Sequence, residues 1–173
     1  RMVRTECRAT IGVIGNAASA IQFIPELARD VKQLAIFQRS ANWMIPRHDR
    51  AYRPWEKWVF THVPGAARAY RWFIWSVAEL MLYPVMRRNP RLSRLYERWA
   101  RKNLDDNVHD PALRAALTPN YPIGGKRILI HDDFYPALNR PNVERVTTPI
   151  DRITADGGRT TDGKRRELDA IVL

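Results

Sequence analysis

The stretch IGVIGNAASAIQFIPELARDVKQLAIFQRS, residues 11–40, decides the fold. A β-branched run from Thr10 to Ile14 predicts a strand, and Gly15-Asn16-Ala17 a tight turn. Ile21, Ile24, Leu27, Ala28 and Val31 then recur at threes and fours, the spacing of one apolar helix face. Leu34 to Phe37 is a second apolar run, and a cation, Arg39, follows it. Strand, small-residue turn, helix and strand make one βαβ unit, whose first turn is where a dinucleotide pyrophosphate can sit.

The physics of that turn is specific. The first amides of a helix have no partner inside the helix and point along its positive end, so a phosphate can use them when no side chain stands in the way. Gly15 permits the sharp turn, while Ala17, Ala18 and Ala20 keep the approach narrow and Ser19 offers a hydroxyl. Asn16 and Gln22 flank the same turn. The common pattern Gly-x-Gly-x-x-Gly/Ala reads here Gly15-x-Ala17-x-x-Ala20, so the methyl of Ala17 must point away from the ligand. The plain alternative is a strand–helix turn that holds nothing.

The end of the second strand selects the nucleotide. A carboxylate there holds the ribose diol of NAD, whereas an arginine accommodates a 2′-phosphate. No acidic residue occurs between Gln33 and His48, and Arg39 lies about 24 positions after Gly15, close to the spacing of that selector. Arg39 supplies a planar cation and Ser40 a hydroxyl, which favours NADP.

Composition sets the outer bounds. The chain has 173 residues, enough for one sizeable domain, with a net charge of +11. It starts at Arg1 without an initiator methionine and stops in the apolar run Ala170-Ile-Val-Leu173, which reads as a central strand cut before its loop; a fragment of a longer protein is expected. The cations are spread along the chain in pairs and triplets such as Arg87-Arg88 and Lys164-Arg165-Arg166, the pattern of an enzyme that handles phosphorylated cofactors rather than of a nucleic-acid stripe. One cysteine, Cys7, excludes an internal disulfide and a cysteine metal cage and fits a reducing, cytoplasmic compartment. The four histidines are scattered without ligand spacing, so no metal site is expected. The longest apolar stretch, Trp72 to Met86, is broken by Glu79 and Pro84 and is too short to span a bilayer.

Three segments follow from the pattern. Residues 1–49 hold the polar lead-in at 1–9, the βαβ unit and a loop in which Trp43 reads as a packing anchor. Residues 50–117 carry Trp and Arg among aliphatics at helical spacing: Trp55 and Trp58, Phe73 and Val77, Leu95 and Trp99. Pro54, Pro64-Gly65, Asn89-Pro90 and Asp110-Pro111 punctuate it, which predicts three or four helices, an insertion packed by an ordinary apolar stripe with solvated Arg stems. An amphipathic face resting on a membrane or a partner is the other reading of that stripe. Residues 118–173 return to loop and strand. Lys126-Arg127 follow a glycine pair and precede a buried-type strand, Ile128 to Ile130. A turn at His131-Asp132-Asp133 leads into Phe134 to Leu138, and a strand is predicted at Val143 to Val146. A hairpin is expected with arms Ile150 to Thr154 and Arg159 to Thr161, and Leu168 to Leu173 reads as a buried strand.

Five blocks in order carry a family resemblance: Gly15 to Gln22, Phe37 to Trp43, Tyr121 to Leu129, Tyr135 to Val143 and Leu168 to Leu173. Together they resemble the NADP-binding domain of the flavin-containing Baeyer–Villiger monooxygenases. The resemblance implies an α/β, Rossmann-like domain with a parallel sheet, a helical insertion and a small β-hairpin element, part of a two-dinucleotide-domain flavoprotein. It implies that NADPH reduces a bound FAD, that a C4a-peroxyflavin forms with O2, and that a ketone becomes an ester or lactone. By position, Gly15, Asn16, Ala17, Ala18, Ser19 and Gln22 would serve the pyrophosphate, Arg39, Ser40 and Lys126 the 2′-phosphate, and Arg127 the anionic oxygen of the reaction. A permanently protonated arginine suits such an oxyanion-type task. The family's flavin-type glycine turn and its Phe-x-Gly-x-x-x-His-x-x-x-Trp signature are not found here, so the FAD site is expected largely outside this chain, which would not turn over alone. An N- or S-oxygenating flavin monooxygenase shares the two nucleotide folds and is the alternative enzyme. A basic module for nucleic acid or a membrane surface is the alternative of another class.

Overall fold

Strand β1 (Cys7–Ile14), helix α1 (Ala20–Asp30) and strand β2 (Val31–Phe37) form where the apolar pattern places them. The computed structural model describes residues 7–47, 49–87 and 89–173, with the side chain of Cys7 left aside. The lead-in before residue 7, the thiol of Cys7 and Arg88 of the Arg87-Arg88 pair therefore lie outside the described residues.

β1 and β2 run parallel, Ile11 facing Leu34 through Ile14 facing Phe37. Strand β3 (Met44–Ile45) and helices α2 (Pro54–His62), α3 (Ala66–Met86), α4 (Pro90–Asn107) and α5 (Pro111–Leu117) follow. Next come β4 (Leu129–Ile130), α6 (Phe134–Leu138), β5 (Val143–Val146), β6 (Ile150–Thr154), β7 (Gly157–Thr160), β8 (Arg165–Glu167) and β9 (Ala170–Val172). The main sheet is parallel in the order β5-β2-β1-β9; β3 pairs with β4, and β6, β7 and β8 form an antiparallel sheet.

The alternation of β2 builds the layers, because successive side chains of a strand leave on opposite faces. Leu34 and Ile36 join Ile21, Ile24 and Ala28 of α1 and Phe134 and Leu138 of α6 in one core. Ala35 and Phe37 meet Val146 and Leu168 on the other face. A third cluster gathers Trp43, Ile45, Val85, Ala100, Ile123 and Ile128, and so ties the four-helix stretch to the loop that carries Lys126.

The helix starts follow from proline and its neighbour. Asn89 Oδ1 accepts from the amides of Arg91 and Leu92, with Pro90 at the first helical position. Asp110 does the same for Ala112 and Leu113 ahead of α5. At α2, Glu56 accepts from the Arg53 amide at 2.6 Å and from both terminal nitrogens of Arg50.

Several expectations are corrected. The strand in the run from Leu168 to Leu173 is shorter than expected: Ala170–Val172 pair with β1, while Leu168 packs with Ala35 and Phe37 ahead of it. The hairpin is an arm of a three-stranded sheet, its turn falls at Ala155-Asp156, and Gly157 and Gly158 belong to β7, where a side chain at Gly157 would run into the backbone of Arg166 on β8. Strand β4 begins at Leu129, and Ile130 is exposed. The Trp/Arg stripe is not uniform packing. It buries Ala100 and Leu104 on α4, but α2 buries none of its residues and α3 only Val85.

Candidate functional site

The turn after β1 is held open by backbone chemistry. Gly15 sits at φ +100°, a conformation that glycine adopts without strain, and its amide donates to the carbonyl of Phe37 at 2.9 Å. A side chain added at Gly15 would meet nothing within 4 Å. Helix α1 begins its internal bonding with the amide of Ile21 on Ala17 O. The amides of Ala18 and Ser19 thus have no backbone acceptor among the described residues, and they stand at the positive end of the helix. Ser19 makes no side-chain cap bond, so its hydroxyl is uncommitted. Gln22, one turn in, is exposed.

The end of β2 is braced against this turn. Asn16 Nδ2 and Gln38 Nε2 both donate to Ser40 O, at 3.4 and 3.2 Å, and Asn42 Nδ2 donates to Asn16 O at 3.1 Å. From far along the chain, Lys126 Nζ donates to Ser40 Oγ at 3.0 Å and lies 4.6 Å from the ring centre of Tyr121. Tyr121 is fixed in turn: its hydroxyl donates to Ala41 O at 3.0 Å, and its carbonyl accepts from Trp43 Nε1 at 2.8 Å. Trp43 is buried under the guanidinium of Arg101, the anchor its sequence context predicts. Arg39 is exposed and has no carboxylate partner among the described residues.

A cavity of about 240 Å³ opens beside Arg39, lined by Ile14, Phe37, Gln38 and the segment Thr147 to Ile150. Its walls are mostly apolar, and Gln38 Oε1 is a buried acceptor without a protein donor. A larger cleft of about 710 Å³ lies near Lys32, Asn142 and Arg165. That cleft faces the amino ends of β2 and β5, whereas open parallel sheets take ligands at the carboxyl ends of their strands.

Of the residues singled out from sequence, Asn16, Ser40 and Lys126 are joined in one hydrogen-bonded set, with Gly15 and Arg39 beside it. Gln22 and Arg127 make no hydrogen bond to that set; Arg127 is exposed next to Lys126. The supporting residues Gln38, Asn42 and Tyr121 were not singled out from sequence. Tyr121 carried one signal, a tyrosine five residues before the Lys-Arg pair on a proline–glycine loop.

Comparison with known proteins follows the same outline. The chain is 37% identical over 163 residues to a Baeyer–Villiger monooxygenase of Streptomyces coelicolor, which takes in 94% of this chain and 31% of that protein. It is 40% identical over 167 residues to the FAD-binding monooxygenase ktnD of Aspergillus niger, with 94% and 27% covered. An oxidised steroid monooxygenase bound to NADP superposes with a TM-score of 0.71 at 28% identity, over 97% of this chain and 39% of that one. No protein-family profile matches the chain. The chain spans about a third of the length of the curated relatives it matches.

Proposed function

The chain belongs to the Baeyer–Villiger monooxygenase family, and from that premise we propose that it is the NADP-handling part of an FAD- and NADPH-dependent monooxygenase that turns a ketone into an ester or lactone. The observation that carries the reading is the Lys126–Ser40 bond beside Arg39, which has no carboxylate partner among the described residues; two cations and a hydroxyl gather at the tip of β2. That is the chemistry a 2′-phosphate requires, and a ribose diol does not.

The residues fit the nucleotide. The open amides of Ala18 and Ser19 and the uncluttered Gly15 suit a pyrophosphate, with Asn16, Ala17 and Gln22 at its margin. Arg39, Ser40 and Lys126 take the extra phosphate. The cavity between Phe37 and Ile150, mostly apolar, takes the adenine. When bound, NADPH supplies the hydride that reduces the flavin. FAD itself is assigned mainly to residues outside these 173. Arg127 offers a planar cation where an oxygen of the reacting pair becomes anionic.

The test is made in the complete natural enzyme with NADPH and a cyclic ketone. Arg127→Ala is expected to abolish ester formation while NADPH oxidation continues. Undiminished ester formation would remove Arg127 from the reaction, and unchanged NADPH affinity in Arg39→Ala would remove the nucleotide assignment.

A further inference from the structure

Trp43 holds both ends of one loop. Its indole Nε1 donates to Tyr121 O at 2.8 Å, and its own carbonyl accepts from the Leu129 amide at 2.9 Å. Lys126 and Arg127 lie between those two bonds, in residues 122–128. The ring packs in one cluster with Ile123 and Ile128 of the same loop. At 3% exposure the indole offers almost no surface to a ligand, so its effect on a nucleotide must pass through the loop.

Helix α4 fixes Trp43 in turn. The Arg101 guanidinium lies 5.2 Å from the indole ring centre, and its Nη2 donates to Glu97 Oε1 at 3.0 Å. Two residues on, Asn103 Nδ2 donates to Met44 O at 3.4 Å. The contacts therefore run from α4 to Trp43, from Trp43 to the loop, and from Lys126 on that loop to Ser40 Oγ at 3.0 Å. A buried donor and the acceptor it bonds each lose their partner when the other is removed. Phenylalanine at position 43 keeps an aromatic ring in the cluster but leaves Tyr121 O without the indole donor. A flexible ammonium stem holds its place only as well as the backbone that carries it, so loosening the loop loosens Lys126.

We propose, on the nucleotide reading given above, that Trp43 is a positioning residue for the 2′-phosphate clamp. Held by Arg101, it fixes the loop that carries Lys126 and so contributes to a preference for NADPH over NADH from a buried position.

The test is equilibrium titration of the complete natural enzyme with NADPH and with NADH. Trp43→Phe should weaken NADPH binding about three- to tenfold and leave NADH binding nearly unchanged. In a Lys126→Met background the same change should lower the preference no further, because coupling disappears once one partner is gone. Arg101→Ala, at a side chain 49% exposed, should lower the preference about two- to threefold with an unchanged melting temperature. If Trp43→Phe does not fold, Arg101→Ala decides alone. Three results would overturn the positioning role: a preference untouched by both variants, equal losses for the two nucleotides, or an effect of Trp43→Phe that persists undiminished beside Lys126→Met. A parent enzyme without a preference, or one whose preference survives Lys126→Met, would instead sink the nucleotide reading and the positioning role together.

Discussion

The ammonium of Lys126 donates to the hydroxyl of Ser40 over 3.0 Å, although 86 residues separate the two in the chain. A cation from the loop before β4 thus arrives at the tip of β2, and the two ends of the site are set by one contact. Lys126→Met is expected to weaken NADPH binding about tenfold to a hundredfold, as for the loss of one charge-assisted bond, and to leave NADH binding nearly unchanged. Equilibrium titration with both nucleotides reads the difference. Equal losses for the two would mean that Lys126 serves structure and not the 2′-phosphate.

Tyr121 is expected to act through Lys126. Its ring faces the ammonium at 4.6 Å and its hydroxyl holds Ala41 O. Tyr121→Phe keeps the ring and should retain most of the preference for NADPH over NADH. Tyr121→Leu removes a cation–π contact of about 0.5–1 kcal/mol and should lower that preference about two- to fivefold. The comparison of the two variants separates positioning from general destabilisation, which the melting temperature reports independently.

Two glycines should respond differently to alanine. Gly124 has φ +84°, and an added Cβ would stand 2.7 Å from the backbone oxygen of Val85, at the end of α3. Gly124→Ala is therefore expected to cost about 2–4 kcal/mol from strain and overpacking, and to displace the loop that bears Lys126 and Arg127. Gly15→Ala meets open space and should cost only the left-handed backbone strain, about 1–2 kcal/mol. Denaturant unfolding of the pair checks the ranking.

Acid should loosen the start of α2. Hydrogen bonds from the Arg50 guanidinium, then from the Arg53 amide, hold the Glu56 carboxyl down at about 2, against an ordinary 4.5. A carboxyl lowered in the folded state stabilises fully above its unfolded value, and that contribution is lost as pH falls through the folded one. The loss should therefore fall between pH 4.5 and about 2. Glu56→Gln should flatten the stability profile in that window, and an unchanged profile would count against the pairing.

The βαβ unit was legible because Ile21, Ile24 and Ala28 keep helical spacing and Leu34 to Phe37 is a pure apolar run. Asn89-Pro90 and Asp110-Pro111 announced their helices through the cap chemistry found in the structure. Strand β8 was hidden, since Arg165-Arg166-Glu167 has no apolar alternation and pairs only because β7 offers it an edge. β3 was hidden by its two-residue length. The exposed face of α3 was also beyond reach: periodicity shows that a helix has an apolar side, but not whether anything lies against it. In the candidate site, the glycine turn and the selector arginine could be read locally. The bracing by Tyr121 could not, because it depends on a contact with Ala41 from 80 residues away.

The sheet order has a kinetic consequence. β1 lies between β2, its near neighbour in sequence, and β9, to which Thr10 and Asp169 are tied across 159 positions. α2 to α5 close only short loops and can form early, whereas β1 must wait for its distant neighbour. In a nascent or refolding chain the β9-side edge of β1 stays unpaired through that interval, a ready template for another molecule. Misassembly of this protein should accordingly begin at the strand that carries the nucleotide turn, and a ligand that seats that turn early should act as a folding aid.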